Sequence, residues 1–317
     1  MRTVRTAVSC PDVSVATRPH AIAVPARASL SDYLELLKLG IMQLVLVTTV
    51  GAMAFAAQGW PSTRLVAATV AGMALVAGGS SAFNHWYDRD IDRLMARTRD
   101  RPVASGRVPA VQALAIGIGC GVVGVVELAA LVNAQTALYG LAGYVVYVLV
   151  YTVWLKRRTP YNIVIGGAAG SFPPLAGWAA VTGTIDASAI ALAIYLFLWT
   201  PPHFYALSLL LKDDYAEAGV PMLPVVAGVR VTARHVLVYT ILLVASSLVP
   251  VALGTLGLVY AALAAVAGGW FIVLVIRLDR APDDRALARR TFLFSIAYLA
   301  ATFVAMGVDR ALSGVLS

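Results

Sequence analysis

Apolar residues fall into nine long blocks along this chain, and the polar residues gather between them. The blocks cover roughly 35–58, 63–85, 110–132, 137–155, 161–182, 187–211, 235–254, 256–276 and 292–313. Each is close to the roughly 20 apolar residues that carry a helix across a bilayer. In lipid only a helix satisfies the backbone polar groups of such a segment. The pattern predicts an all-α fold, a polytopic membrane bundle of about nine transmembrane helices. It also predicts two parts: a disordered cytoplasmic N-terminal tail over 1–30 and one nine-helix domain over 31–317.

Composition agrees with the pattern. Hydrophobic residues make up 60% of the chain and charged residues only 13%, with a mean hydropathy of +0.82; a soluble domain carries about 25% charged residues. The formal charge of +8 raises the question of a nucleic-acid partner. That partner is excluded, because the basic residues sit in loops between spans and form no nucleic-acid motif. All of the 24 basic residues except Arg64 and Arg310 fall on one side of the predicted membrane. By the positive-inside rule that side is cytoplasmic, with the N-terminus inside and the C-terminus outside. The opposite loops are short, so a site for a polar substrate belongs on the cytoplasmic face. In the tail, Arg2, Arg5, Arg18 and Arg27 against the single acid Asp12 give the composition of a transit peptide. Pro11, Pro19 and Pro25 oppose a continuous amphipathic helix there, so a bacterial plasma membrane is expected ahead of the mitochondrial inner membrane. Cys10 and Cys120 offer no disulfide framework, and His20, His85, His203 and His235 lack zinc spacing.

Two loops open with clustered acids. Asn84, Asp88 and Asp92 lie at i, i+4 and i+8 where the second span meets an arginine-rich loop. Each step of four advances about 40° around a helix, so the three share one stripe while Asp90 points elsewhere. Two carboxylates and an amide oxygen are hard ligands that suit Mg²⁺ bound together with substrate phosphate. The competing reading is a solvated helix end with its acids paired to Arg89, Arg93 or Arg97. The second cluster follows the sixth span: Asp213, Asp214 and Glu217, beside Tyr215. It is a further metal-binding edge, or an ordinary charged cap. Arg97, Arg101 and the run Lys156-Arg157-Arg158 are the cations on the same side, suited to a diphosphate. Pro201-Pro202-His203 interrupts the sixth span, where His203 is placed to hold a haem or to bond within the bundle. Glu127 is an isolated acid in the third span, and the glycines of 166–170 are expected to allow close helix packing.

These residues resemble a known family. Asn84-x-x-x-Asp88-x-x-x-Asp92, with Arg97-Thr98 and Arg101-Pro102 after it, is similar to the first signature of the UbiA-type intramembrane prenyltransferases. The strings Asp88-Arg89-Asp90-Ile91-Asp92, Lys156-Arg157-Arg158-Thr159-Pro160, Trp199-Thr200-Pro201-Pro202-His203-Phe204 and Gly219-Val220-Pro221-Met222-Leu223-Pro224 resemble its haem-farnesylating branch, the haem O synthases. The likeness covers roughly 31–310. It departs at the second motif, where Asp213-x-x-x-Glu217 stands in for the usual Asp-x-x-x-Asp, and at Gly40, where relatives often carry arginine.

The resemblance implies transfer of a farnesyl group from farnesyl diphosphate to a vinyl group of haem B, giving haem O for terminal oxidases. It implies a Mg²⁺ cofactor held by Asn84, Asp88 and Asp92, with Asp213, Asp214 and Glu217 toward a second ion. Asp88, Asp92, Lys156 and Asp214 would be the catalytic set. Asn84, Arg97, Arg101, Arg157, His203 and Tyr215 would contact substrate. Membrane lipid surrounds the protein, and the product chemistry allows a downstream haem A synthase as partner. The alternatives are the same chemistry on another acceptor, such as a quinone precursor, and an ion-coupled transporter. A transporter should carry its acids near the membrane midplane on several helices.

Overall fold

A computed structural model of the chain describes residues 28–316. Among these residues nine helices are long and apolar enough to cross a membrane: α1 (Leu39–Ala56), α2 (Thr63–Tyr87), α3 (Ala110–Leu131), α4 (Ala134–Leu155), α5 (Asn162–Thr182), α6 (Ala187–Leu210), α7 (Gly228–Ala252), α8 (Leu258–Arg280) and α9 (Arg285–Arg310). The protein is a multi-pass helical membrane protein, as the apolar blocks predicted. The expected tail lies outside the described residues up to 27, and a short helix over Leu30–Leu36 precedes α1.

Several boundaries differ from the pattern, each for a local reason. α7 begins at Gly228 rather than 235, so Arg230 and Arg234 ride on the helix and not in a loop. Polar side chains mark where a helix leaves lipid but do not end it. α8 runs on to Arg280, past 276, with Arg277 and Arg280 in a last turn whose carbonyl ends favour cations. α9 begins at Arg285 rather than 292, because the Asp284 carboxylate accepts the backbone N–H groups of Ala286 and Leu287 at 2.8 and 3.0 Å.

The bundle packs by small residues in one half and by aromatics in the other. A Cβ built on Gly79 of α2 would lie 2.7 Å from the backbone nitrogen of Gly121 and 2.8 Å from the carbonyl of Gly117, both on α3. The absence of a side chain there lets the two backbones touch, the means by which membrane helices gain contact without a hydrophobic drive. In the other half Tyr195, Trp199, Tyr205, Phe271 and Tyr298 are buried among α6, α8 and α9. Two of their polar atoms are matched: Tyr195 and Thr302 share a hydroxyl bond of 2.6 Å, and the Trp199 indole donates to the Ser295 carbonyl at 2.7 Å. Among the described residues the hydroxyls of Tyr205 and Tyr298 are buried without a partner. Val122, Val123, Val126 and Val266 face outward, as lipid-facing positions do.

The α2–α3 connection is an ordered platform. Arg93 donates to the Ala104 carbonyl at 2.7 Å, and Thr98 donates to that of Asp92 at 2.9 Å. Arg107 pairs with Asp32 of the leading helix at 2.7 Å. With Met95, Val103 and Val108 buried beneath it, this loop sets the position of everything that follows α2.

Candidate active site

The acidic stripe forms as its spacing predicts. Asp88 ends α2, yet its N–H still reaches the Asn84 carbonyl at 2.9 Å, and the Asp92 N–H reaches that of Asp88 at 2.8 Å. The helical ladder therefore continues through the short helix Arg89–Asp92, and the three side chains stay aligned. Asn84, Asp88 and Asp92 keep only 2%, 0% and 1% of their surface. Burying an ionised group costs several kcal/mol unless it is paired, and these groups are paired.

The partners are not the neighbouring arginines. Lys156 sets its ammonium on the Asp88 carboxylate, and Arg157 stands 3.5 Å from its other oxygen. One nitrogen of Arg101 bonds both oxygens of Asp92, at 2.9 and 2.8 Å. The Asn84 amide donates to Asp88 at 2.6 Å and to the Thr152 hydroxyl at 3.3 Å. Arg89 and Arg93 instead bond backbone carbonyls, and Arg97 is exposed. Asp90 lies off the stripe, where both its oxygens accept from Arg157 at 2.7 Å. That fork lowers the Asp90 pKa and raises that of Arg157.

Lys38 completes the cluster, and the sequence reading counted it only as loop charge. It adopts a left-handed backbone (φ 48°) between the leading helix and α1, a conformation uncommon outside glycine. The kink sends its ammonium to the Asn84 amide oxygen at 2.6 Å. Burial, then repulsion from Arg101 and Lys156, pushes its pKa well below the ordinary lysine value. The usable signal was position: a lysine at the head of the first apolar block, two residues before a glycine.

Lys156 and Thr152 reach this cluster through an irregular stretch of α4. Residues Val146–Leu155 form a π-helix, with Lys156 N–H bonded to the Tyr151 carbonyl at 2.9 Å and the Thr152 hydroxyl to that of Tyr147 at 2.8 Å. Such bulges occur frequently at functional sites.

The second cluster sits on a short helix, Lys212–Glu217, directly after α6. Asp213 and Glu217 are exposed, while Asp214 and Tyr215 are half-buried. Tyr151 lies within electrostatic reach of both Asp88 and Tyr215, and of Arg97 and Arg101. Among the described residues no three His, Cys, Asp or Glu side chains gather closely enough to cage a metal.

His203 lies apart from the carboxylates, between α6 and α9. Its ring stacks on Trp199 at 4.3 Å and packs against Phe292 at 4.8 Å, and its Nδ1 is 2.7 Å from the Ser295 hydroxyl. Ser295 gives its own proton to the Phe292 carbonyl at 2.6 Å. Nδ1 is then the donor, and Nε2 is left with a free lone pair. Glu127 finds no interior partner for its buried Oε2. The 166–170 glycines do allow close contact: a Cβ on Gly167 would meet Thr200 at 2.8 Å.

Fold and site together define a class: a helical membrane protein with a buried, cation-rich carboxylate stripe at one end of its bundle. The sequence model of the UbiA prenyltransferase family matches residues 45–297, and the chain belongs to that family. Curated relatives named protoheme IX farnesyltransferase include one from Roseiflexus sp. (strain RS-1), 48% identical over 281 residues, and one from Gloeobacter violaceus, 49% identical over 282. Both alignments cover 89% of this chain. The chain spans about half the Roseiflexus protein (52%) and 92% of the Gloeobacter one. A digeranylgeranylglyceryl phosphate synthase structure shares the fold with a TM-score of 0.74 at 19% identity, covering 89% of this chain and 98% of that one. A UbiA homologue from Archaeoglobus fulgidus bound to GPP and Mg²⁺ follows with a TM-score of 0.59 at 16% identity, covering 87% and 99%.

Proposed function

We propose that the protein transfers the farnesyl group of farnesyl diphosphate to a vinyl carbon of haem B, with addition of water, to give haem O. The observation that carries this reading is the buried Asn84–Asp88–Asp92 stripe with Lys38, Arg101, Lys156 and Arg157 converging on it. The names of the relatives supply the acceptor.

The donor set suits Mg²⁺. This ion takes one or two carboxylates and completes its shell with phosphate and water, and Asp88 and Asp92 with the Asn84 oxygen are such a set. The Asn84 oxygen already accepts a cation, Lys38. Asp214, with Asp213 and Glu217, is the candidate edge for a second ion. When bound, the metal supplies Lewis-acid stabilisation of the departing diphosphate.

The chain's own groups do the rest. Arg101 and Lys156 pair with the stripe's carboxylates and would transfer hydrogen bonds to diphosphate oxygens. Lys38 gains a counter-anion in the same event. Arg97 and Tyr215 stand at the edge toward the second cluster, and Arg157 anchors the platform through Asp90. The dry bundle keeps water from the allylic cation until the vinyl carbon has attacked. The free Nε2 of His203 is the candidate for holding haem iron.

In this reading the site faces the cytoplasm across a bacterial plasma membrane, and the excess of Lys and Arg on that side supports it. Haem O would then pass to a haem A synthase. The test is direct: purified protein is incubated with haem B, farnesyl diphosphate and Mg²⁺, and the porphyrin product is weighed by mass spectrometry. A product heavier by one farnesyl group and one hydroxyl supports the reading. Unchanged haem B overturns it.

A further inference from the structure

The π-helix in α4 changes which side chains share a face. An α-helix advances about 100° per residue, which would put Lys156 about half a turn from Tyr147. Five-residue bonding advances roughly 80° per residue, and brings Tyr147, Tyr151 and Lys156 to within about 50° of one another. The Tyr147 and Tyr151 rings are 5.6 Å apart and inclined by 34°. Tyr147 lies within electrostatic reach of Lys156, Asp88 and Arg101, and Tyr151 within reach of Asp88, Arg97 and Arg101. Both rings are half-buried and keep part of their surface open. Gly166 of α5 makes the room: a Cβ there would stand 2.9 Å from Cγ of Tyr151.

We propose that Tyr147 and Tyr151 are catalytic residues whose ring faces stabilise the allylic cation formed beside the Asp88–Lys156 pair. The proposal rests on the farnesyl-transfer reading. In the step concerned the C1–O bond of the prenyl diphosphate breaks, and its electron pair leaves on the diphosphate oxygen. Positive charge remains on the allyl carbons until the acceptor's π electrons form the new bond to C1. The two products of this ionisation need opposite partners. Lys156 meets the anion, and the electron-rich faces of the tyrosines meet the cation. The π-helix puts both partners on one helix face. A pair that served only to fill the core would show no such open surface and would not need the irregular register.

The experiment replaces Tyr147 and Tyr151, one at a time in the full-length protein, by phenylalanine and then by mono-, di- and trifluorophenylalanine. Fluorine drains the ring face while nearly keeping its shape. Phenylalanine should hold turnover within about twofold, and the trifluoro ring should lower kcat roughly tenfold with KM for farnesyl diphosphate unchanged. A stepwise fall along the series supports the proposal. A flat series, or a rise in KM alone, overturns it. Tyr151→Leu and Tyr147→Leu provide a second measure, since folded leucine variants with full activity also overturn it. Wild-type protein is run in parallel on haem B. If it leaves haem B unchanged, the acceptor assignment fails, and the same series is read on diphosphate release from farnesyl diphosphate.

Discussion

The ends of α2 and α6 carry similar residues in opposite settings. At the α2 end Asp88 and Asp92 are buried, and each is already bonded to a basic side chain. At the α6 end Asp213 and Glu217 face outward and only Asp214 is half-buried. The difference follows from the cost of burial. A carboxylate in solvent needs no partner, whereas one inside the bundle must be paired. At the α2 end the charges are therefore balanced within the fold itself.

The largest break in this comparison should come from Asp88→Asn and Asp92→Asn. Each should lower farnesyl transfer by roughly 10²–10³-fold, read as product mass over time, with the bundle intact by circular dichroism. Asp88→Ala is a harsher change, because it leaves Lys156 buried without its counter-charge, at about 3–5 kcal/mol of stability. Turnover retained in the asparagine variants would remove the metal assignment. Next in size, Asp214→Asn should reduce turnover about tenfold, whereas Glu217→Gln should stay within about twofold, because only Asp214 is turned inward. Equal effects would show that exposure is no guide to role at this end.

His203→Ala sharpens the contrast between the two substrates. It should weaken haem binding by about tenfold and shift the bound-haem absorption spectrum, with farnesyl diphosphate affinity unchanged. An unaltered haem spectrum would release His203 from that role. The smallest effect concerns the platform. The Ser29 backbone bond, then the Arg107 bond, hold the Asp32 carboxyl down at about 2. Its contribution is therefore complete above the ordinary aspartate value of about 3.9 and is lost as pH falls through about 2. Thermal unfolding followed between pH 5 and pH 2 should show this loss in the wild type, with a weaker dependence in Asp32→Asn.

Local periodicity made much of this protein legible from sequence. The nine spans follow from block length, and the Asn84–Asp88–Asp92 stripe follows from the turn of a helix. Both depend on residues close together in the chain. The partners of the stripe do not. Lys156 lies 68 residues from Asp88, and Lys38 lies 46 from Asn84; nearer arginines were equally plausible until the packing was known. The platform loop selects Arg101 over Arg97, and a single left-handed residue turns Lys38 inward. The register of α4 was also beyond reach. A 3.6-residue period sets Tyr147 and Lys156 on opposite faces, and the π-helix that unites them is locally unfavourable. Contacts between helices, here with Asn84 and Asp88 of α2 and Gly166 of α5, decide whether it forms. Sequence alone determined the helices and one line of acids. Tertiary packing determined which charges meet that line, because pairing depends on distance through the bundle and not along the chain.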